Sequence, residues 1–277
     1  MNGTVTATPV TASEMFAASG LPLLEARALL APLLGVSRES LIARPAQTVP
    51  RATGAAFVAL VARRRAGEPL AYLLGHREFH GRPFRVTPDV LVPRPETELL
   101  VECALAVLRT HAAPRVVDLG TGSGCIAVSL ALECPAAQVQ ASDRSEAALR
   151  IAADNAAALG ATLSFYRGDW FDALPAGARF EVVVSNPPYV AAGDPHLASL
   201  THEPAIALTD GADGLACLRR IVAQAPARLE SGGALLVEHG FDQGPAVRRL
   251  FEAAGFDAIA TAADLQGHPR LTQGRRP

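Results

Sequence analysis

The chain has 277 residues, of which 49% are hydrophobic and 19% charged, a composition typical of a globular protein with an ample core. The formal net charge of -2 provides no electrostatic basis for general nucleic-acid binding. All 25 basic residues are arginine, which excludes lysine Schiff-base chemistry and a Walker-type phosphate loop.

The four cysteines are scattered without the spacing of metal ligands, so we expect buried free thiols and no metal site. They are Cys103, Cys125, Cys134 and Cys217. No charged start is followed by an apolar run, and no uncharged apolar stretch is long enough to span a bilayer. We therefore expect a cytoplasmic protein without membrane contacts. A monomer is the default expectation, although the sequence does not fix the oligomeric state.

Residues 1–76 predict a small helical domain. Apolar side chains recur at helical spacing over residues 23–34 and again over residues 57–64. We expect Ser13 to cap a first helix that begins at Glu14. The segment contains no catalytic constellation, so its predicted role is packing or docking of a partner.

Residues 77–94 predict a β-hairpin linker between two domains, because Phe79 and Phe84 flank a turn at Gly81. Residues 95–277 then form the second domain, which begins with a helix after an extended, proline-rich entry.

Glu96 and Glu98 lie where that helix begins. Carboxylates suit the first turn of a helix. Alternatively, these two side chains line a ligand pocket.

From Arg115 the pattern alternates between strand and helix, which predicts an α/β domain with a parallel sheet and helices on both faces. We expect seven strands in a Rossmann-like sheet, including an antiparallel pair at the carboxyl end. The predicted strands are residues 115–119, 136–142, 161–166, 181–185, 233–238, 256–260 and 270–273.

A glycine-rich turn follows the first strand of this sheet and precedes a helix. Glycines allow a ligand to approach the backbone closely, and the amino end of the helix supplies N–H donors. This context predicts a cofactor site built from Gly120, Thr121, Gly122, Ser123 and Gly124.

Two later strand ends carry further candidate cofactor residues. Asp143 lies 23 residues after Gly120, the distance at which such sheets place a carboxylate on ribose hydroxyls. Ser145 already suits the cap of the next helix, which favours ribose binding for Asp143. Trp170 is the only tryptophan and follows Asp169. It either stacks on an adenine, with Asp169 near the exocyclic amine, or plugs the sheet edge.

The predicted strand at residues 181–185 ends abruptly in Asn186, Pro187, Pro188 and Tyr189. Two prolines end the ladder and stiffen the backbone at the edge of the sheet where ligands bind. The Asn186 oxygen and the Pro187 carbonyl can each accept one N–H of a planar amino group, and Tyr189 can pack against it. The plain alternative is a proline turn. After it, residues 190–208 predict a loop over the pocket that carries Glu203, whose role the sequence leaves open.

A nicotinamide cofactor and S-adenosyl-L-methionine both suit such a site. The glycines are spaced Gly-x-Gly-x-Gly, without the pyrophosphate fingerprint, and nothing near Asn186 supplies a hydride-transfer partner. A methyl donor needs a clamp for a weak nucleophile, and residues 186–189 provide one. The combination favours S-adenosyl-L-methionine.

Residues 118–127, Asp-Leu-Gly-Thr-Gly-Ser-Gly-Cys-Ile-Ala, together with Asn-Pro-Pro-Tyr at 186–189, resemble a class I methyltransferase that acts on a planar nitrogen. Further motifs resemble the peptide chain release factor N5-glutamine methyltransferases (the PrmC/HemK family). These motifs are Arg-Glu-Phe at 77–79, Leu-Val-Pro-Arg-Pro-Glu-Thr-Glu at 91–98, Glu-Pro at 203–204 and Gly-Ala-Asp-Gly-Leu at 211–215.

The resemblance covers the chain from about residue 10 to its end. It implies methylation of the glutamine in the Gly-Gly-Gln loop of release factors. It also implies that the glycine turn, Asp143, Trp170 and Asn186 contact the methyl donor, and that residues 186–189 hold the glutamine. The helical domain would help to dock the release factor.

Two rival activities use similar clamps: adenine-N6 methylation of DNA and guanine-N2 methylation of RNA. A DNA enzyme must flip its base and hold the strand with basic residues. The net charge of -2 argues against both rivals, less decisively for RNA. A nicotinamide dehydrogenase and a non-catalytic binding module are the alternatives from other classes.

Overall fold

The computed structural model describes residues 10–277, so the first nine residues of the predicted helical domain lie outside the described part. The chain divides into two compact units, with the boundary between Gly75 and His76. Within the described residues, no helix is both long enough and apolar enough to cross a membrane.

The first unit consists of helices packed around one apolar core. Its first helix is capped by Thr11 rather than by Ser13 as predicted, because the Thr11 side chain accepts from the Glu14 N–H while the Glu14 carboxylate accepts from the Thr11 N–H. The core contains Phe16, Leu29 and Phe57. The helices are α1 (Ala12–Ser19), α2 (Leu23–Leu34), α3 (Arg38–Ala43), α4 (Arg51–Arg65) and α5 (Leu70–Leu74).

The second unit opens with the antiparallel hairpin of β1 (His76–Phe79) and β2 (Arg82–Arg85). Its two-residue turn has positive φ at both positions, 50° at His80 and 72° at Gly81, which is the conformation that matches the twist of a hairpin. Phe79 and Phe84 are buried in the main core of this unit, with ring centroids 6.1 Å apart.

The remaining elements mostly alternate between helix and strand, as the sequence predicts, and end in two consecutive strands. Short 3-10 turns occur at Pro95–Thr97, Trp170–Ala173 and Pro195–Ser199. The longer elements are α6 (Glu98–Leu108), β3 (Arg115–Leu119), α7 (Cys125–Glu133), β4 (Gln138–Asp143), α8 (Glu146–Leu159), β5 (Ser164–Arg167), β6 (Phe180–Ser185), α9 (Ala205–Leu208), α10 (Ala216–Arg228), β7 (Leu229–Glu238), α11 (Gly244–Ala253), β8 (Asp257–Ala263) and β9 (Pro269–Arg275).

Strands β3 to β9 form one sheet in the order β5-β4-β3-β6-β7-β9-β8. The pairs from β5 to β7 are parallel, and β9 is antiparallel to both β7 and β8. Separate apolar clusters cover the two faces of the sheet. This confirms the predicted α/β fold with a seven-stranded Rossmann-like sheet, a helical bundle and a β-hairpin.

The order of the strands places several strand ends side by side. Leu119 pairs with both Ser142 and Ser185, and Ser185 pairs in turn with Val237. The strand order reverses at β3, where β4 lies on one side and β6 on the other. Ligands of open α/β sheets bind outside the carboxyl ends of the strands at such a reversal.

Some details differ from the sequence-based prediction. The predicted loop at residues 190–208 contains a 3-10 turn and the short helix α9. Helix α10 begins at Ala216, because the Asp210 carboxylate accepts from the N–H groups of Ala212, Gly214 and Ala216 and holds a turn before the helix. The cysteines form no disulfide, and only Cys125 is buried, whereas the other three are partly exposed.

Asn155 of α8 connects the hairpin to the glycine-rich turn. Its Oδ1 accepts from the Arg85 N–H at 2.8 Å, and its Nδ2 donates to the carbonyls of Arg85 and Ser123 at 3.0 and 2.8 Å. Asn155 is 2% exposed, so water does not replace these partners when the amide is removed.

We expect Asn155→Ala to lower the free energy of unfolding by about 2–4 kcal/mol, because buried backbone groups lose their partners. Urea unfolding of the purified protein measures this change. The control is Asp154→Ala, which removes an exposed ion pair with Arg85 from the neighbouring position and should change stability by less than about 0.5 kcal/mol. Equal effects of the two variants would contradict this role for Asn155.

Candidate active site

A cavity of about 580 Å³ lies at the carboxyl ends of β3, β4 and β6. This volume is within the usual range for small-molecule sites. Of the predicted site residues, the cavity is lined by Gly120, Thr121, Gly122, Ser123, Asp143, Asp169, Trp170, Asn186 and Pro188. Gly124, Pro187 and Tyr189 are not among the lining residues.

The glycine turn between β3 and α7 has positive φ at Gly120, Gly122 and Gly124. A Cβ on Gly124 would lie 3.0 Å from Cβ of Ala152, so this glycine allows α7 to pack closely against α8. A Cβ on Gly122 would meet no protein atom within 4 Å, and Gly122 lines the cavity. The middle glycine therefore faces space that a ligand can occupy.

Most backbone donors of this turn are already used within the protein. The N–H groups of Gly120 and Thr121 both donate to the Ser142 carbonyl, and the Gly124 N–H donates to the Thr121 carbonyl. The Gly122 N–H donates to Asp143 Oδ2 at 2.9 Å. The turn therefore holds its own conformation rather than offering a row of free donors to a phosphate.

Asp118, for which the sequence predicts no role, lies next to the glycine turn. It is fully buried at the base of the turn, where its Oδ2 accepts from the Thr121 hydroxyl at 2.7 Å. Its Oδ1 is buried as well, and the Ala127 N–H of α7 lies near enough to the carboxylate to lower its pKa, against the larger effect of burial. Burial raises the pKa of Asp118 to about 7, and the nearby charge of Asp143 acts in the same direction.

Asp143, the predicted ribose ligand, ends β4 and lines the cavity. Its two oxygens accept from the N–H groups of Gly122 and Ser145, at 2.9 and 2.8 Å. Ser145 is the cap of α8, as predicted, since its hydroxyl accepts from the Ala148 N–H. Burial raises the pKa of Asp143 above its ordinary value. Asp143 therefore also links the glycine turn to α8.

Trp170 and Asp169 lie beside the glycine turn. The Trp170 ring packs against Gly120, where an added Cβ would lie 3.0 Å from the ring. Trp170 has φ of 46°, an unusual value for a bulky residue. Asp169 is exposed and forms an ion pair with Arg220 at 3.2 Å. Both residues line the cavity, and the indole also contacts the turn.

Asn186 lies directly after β6, on the opposite side of β3 from Asp143. Its Nδ2 donates to the Thr97 hydroxyl oxygen at 3.2 Å. The preceding Ser185 is buried, and its hydroxyl donates to the Leu119 carbonyl at 2.7 Å. Asn186 and the glycine turn therefore border one cavity, and the Asn186 amide is held by a residue far away in the sequence.

Both the side-chain hydroxyl and the backbone carbonyl of Tyr189 are hydrogen-bonded. Its hydroxyl donates to Oε1 of Glu238 at 3.2 Å, and its carbonyl accepts from Gln243 Nε2 at 2.9 Å. A Cβ on Gly214 would lie only 2.5 Å from that carbonyl oxygen, so only glycine fits there. Burial raises the pKa of Tyr189, which keeps its hydroxyl protonated.

The three glutamates of open role have separate positions. Glu203 is buried and accepts from the Val92 N–H at 3.0 Å and from Arg94 at 2.5 Å, which fixes the segment before α6. Glu98 accepts from the His80 N–H of the hairpin at 2.9 Å. Glu96 is half-buried, and its charge contributes to the raised pKa of Glu238.

Three residues without a predicted role contact the clamp or line the cavity, namely Thr97, Arg94 and Glu238. Thr97 and Arg94 come from the Leu-Val-Pro-Arg-Pro-Glu-Thr-Glu motif, which was the signal available for them. For Glu238 the sequence offers one signal of a role in the site, its position at the end of a predicted strand.

Comparison with known proteins gives the class of this chain. Residues 95–254 match the family model described as the methyltransferase small domain, and residues 10–75 match the PrmC N-terminal domain. With the seven-stranded sheet, these matches define a methyltransferase. A ribosomal RNA N2 G1207 methyltransferase of T. thermophilus, solved with AdoMet and guanosine, is 22% identical with a TM-score of 0.55. That alignment covers 73% of this chain and 50% of the other, and shows the shared fold.

Curated relatives define the family more narrowly. The release factor glutamine methyltransferase of Bordetella pertussis is 54% identical over 94% of this chain and 97% of its own length. The protein of the same name from Burkholderia pseudomallei is 54% identical over 97% of both chains. The chain therefore belongs to the release factor glutamine methyltransferase family.

The raised pKa of Asp118 predicts how stability changes with pH. Because the pKa of about 7 in the folded protein exceeds the ordinary value of 3.8, Asp118 stabilises the fold when protonated, and this contribution is lost as the pH rises from about 4 through 7. We expect Asp118→Asn to remove this loss, so that the variant is destabilised less than the wild type between pH 5 and pH 8. Urea unfolding at the two pH values tests this.

The control for this experiment is Asp154→Asn, which neutralises an exposed carboxylate and should follow the wild-type profile. Identical pH profiles of Asp118→Asn and the wild type would show that Asp118 does not titrate in this range.

Proposed function

We propose that the protein transfers a methyl group from S-adenosyl-L-methionine to the side-chain amide nitrogen (N5) of the glutamine in the Gly-Gly-Gln motif of peptide chain release factors. The observation that carries the proposal is that the glycine turn and Asn186 line the same cavity. Membership of the family supports the choice of substrate.

The residues of the glycine turn fit the proposed methyl donor. Asp143 lines the cavity at the end of β4, and Asp118 places a second carboxylate, fully buried, beneath the turn on the neighbouring strand β3. The donor carries a sulfonium and an ammonium group, which such a site favours. Bound there, it would supply an electrophilic methyl group.

The same arrangement disfavours a nicotinamide dinucleotide. A pyrophosphate needs free backbone donors at the helix amino end. Here the Gly122 N–H is donated to Asp143, and the N–H groups of Gly120 and Thr121 are donated to Ser142.

Asn186 and Pro187 would hold the glutamine amide. With the Asn186 Nδ2 donated to Thr97, its Oδ1 remains available to accept one N–H of the substrate. The Pro187 carbonyl, stiffened by two prolines, would accept the other, and Pro188 and Tyr189 would pack against the flat group. The amide is a weak nucleophile, so the main contribution of the enzyme is orientation, which can supply ~7–11 kcal/mol for well-aligned reactants.

The helical unit is proposed to dock the release factor. Between α1 and α4 it has an apolar groove of about 550 Å³ that includes Met15, Phe57 and Val58. Val58 is 59% exposed, so the groove offers apolar surface to a protein partner. We further propose that the enzyme works as a monomer in the cytoplasm and does not bind nucleic acid directly.

The experiment is incubation of the purified protein with S-adenosyl-L-methionine and a release factor, followed by peptide mass spectrometry. We expect one added methyl on the glutamine of Gly-Gly-Gln, and none when that glutamine is replaced in the substrate. Parallel reactions with DNA and ribosomal RNA test the rival activities. Label on nucleic acid but not on the release factor would overturn the proposal.

Asn186→Ala is expected to lower kcat by at least about 100-fold, since the reacting nitrogen loses its orientation. Binding of the methyl donor, measured by calorimetry, should persist in part, because the glycine turn is unchanged while the contact from Asn186 is lost. The matched control is Asp154→Ala on the exposed face of α8, which should keep wild-type kcat. Near-normal turnover of Asn186→Ala would refute the clamp.

A further inference from the structure

Thr97 is a buried hydroxyl between the clamp and a buried carboxylate. It is 1% exposed and lies in the 3-10 turn that precedes α6. Its oxygen accepts from Asn186 Nδ2 at 3.2 Å. Its hydroxyl also adjoins the Glu238 carboxylate and lowers the pKa of that group. The Thr97 hydroxyl therefore lies between a donor, Asn186 Nδ2, and the Glu238 carboxylate, which can only accept hydrogen bonds when it is ionised.

Glu238 is the last residue of β7 and is 2% exposed. Its Oε1 accepts from the Tyr189 hydroxyl at 3.2 Å, whereas its Oε2 is buried and has no donor at normal hydrogen-bond distance and angle within residues 10–277. A buried carboxylate oxygen without a donor is costly, so the nearby Thr97 hydroxyl is drawn toward it. A hydroxyl has one hydrogen, and directing it at Glu238 leaves the oxygen lone pairs for Asn186.

We propose that Thr97 and Glu238 are positioning residues that keep the Asn186 carbonyl oxygen turned toward the cavity. The inference rests on the proposed function, because it assumes that this oxygen accepts an N–H of the substrate amide. Ionised Glu238 holds the Thr97 hydrogen, Thr97 then accepts from Asn186 Nδ2, and Oδ1 faces the substrate.

With neutral Glu238 the hydrogen bonds run in the opposite direction, and Asn186 does not hold the substrate amide. If Glu238 is neutral and donates to Thr97, the Thr97 hydrogen is free to turn to the Asn186 carbonyl. The amide then rotates and presents its NH2 to the cavity, where the NH2 of the substrate lacks an acceptor. The ionisation of Glu238 thereby selects which end of the Asn186 amide meets the substrate.

The first test compares Thr97→Val with Thr97→Ser. Valine has a similar shape but no hydroxyl, so we expect kcat to fall about 10- to 100-fold, with little change in the dissociation constant of the methyl donor. Serine keeps the hydroxyl and should recover most of the wild-type kcat. Equal kcat values for the two variants would overturn the inference, whereas absence of transfer by the wild-type protein would refute the proposed function instead.

The second test uses the pH dependence of kcat at saturating methyl donor. Burial raises the pKa of Glu238 to about 7, so the wild-type kcat should fall as the pH decreases through this value. Saturating donor is used because Asp118 titrates in the same range. Four groups face Glu238 from neighbouring segments, namely Arg270, Glu96, Tyr189 and Cys125.

Two of these neighbours stay protonated throughout the range, because burial raises the pKa of Tyr189 and raises that of Cys125 to about 12. Glu238→Gln should show low kcat without the acidic decrease, since its amide does not ionise. Thr97→Val should also lose the decrease, whereas Thr97→Ser should keep it. An unchanged acidic decrease in Glu238→Gln or Thr97→Val would overturn the role of Glu238, and their thermal unfolding curves identify any variant that fails to fold.

Discussion

The hydrogen bond from the buried Ser185 hydroxyl to the Leu119 carbonyl joins the two halves of the candidate site. Leu119 is the last residue before the glycine turn, and Ser185 is the last residue before Asn186. Because β3 and β6 are paired in parallel with these residues level, both segments leave the sheet at the same height. A shift of one residue in this register would turn alternate side chains to the other face and separate the turn from the clamp.

The turn and the clamp are rigid for different reasons. The glycine turn is fixed by its own backbone, which donates to Ser142 and Asp143, and it needs glycine because of its positive φ values. The clamp is fixed by prolines and by side chains from distant segments, since Thr97 holds Asn186 and Glu238 holds Tyr189. Methyl transfer to an amide depends on alignment, so rigidity on both sides of the reacting atoms serves the proposed reaction directly.

Local sequence signals are enough to predict the fold and one residue of each long-range contact in the site, but not its partner. Alternating strands and helices predicted the sheet, and the context of the glycine turn predicted that it faces a ligand. Asn186 could be found because a strand followed by two prolines is a strong local signal. Thr97 could not be found in this way, since it lies 89 residues from Asn186 and only the strand order brings them together. The prediction of Ser13 as the cap of α1 is wrong, because Thr11 and Ser13 both suit a cap and only the reciprocal hydrogen bonds with Glu14 distinguish them.

The buried carboxylates explain why such a site is costly to build. Asp118 and Glu238 are both buried, and each accepts a hydrogen bond from one hydroxyl, that of Thr121 and that of Tyr189 respectively. Burial penalises their charged forms, so near neutral pH each is close to the point at which it takes up a proton. An apolar side chain in either position would avoid this penalty but would leave the Thr121 or Tyr189 hydroxyl without its acceptor. The two carboxylates therefore carry a desolvation penalty, and through the Thr121 and Tyr189 hydroxyls they hold the turn on one side of β3 and the clamp on the other.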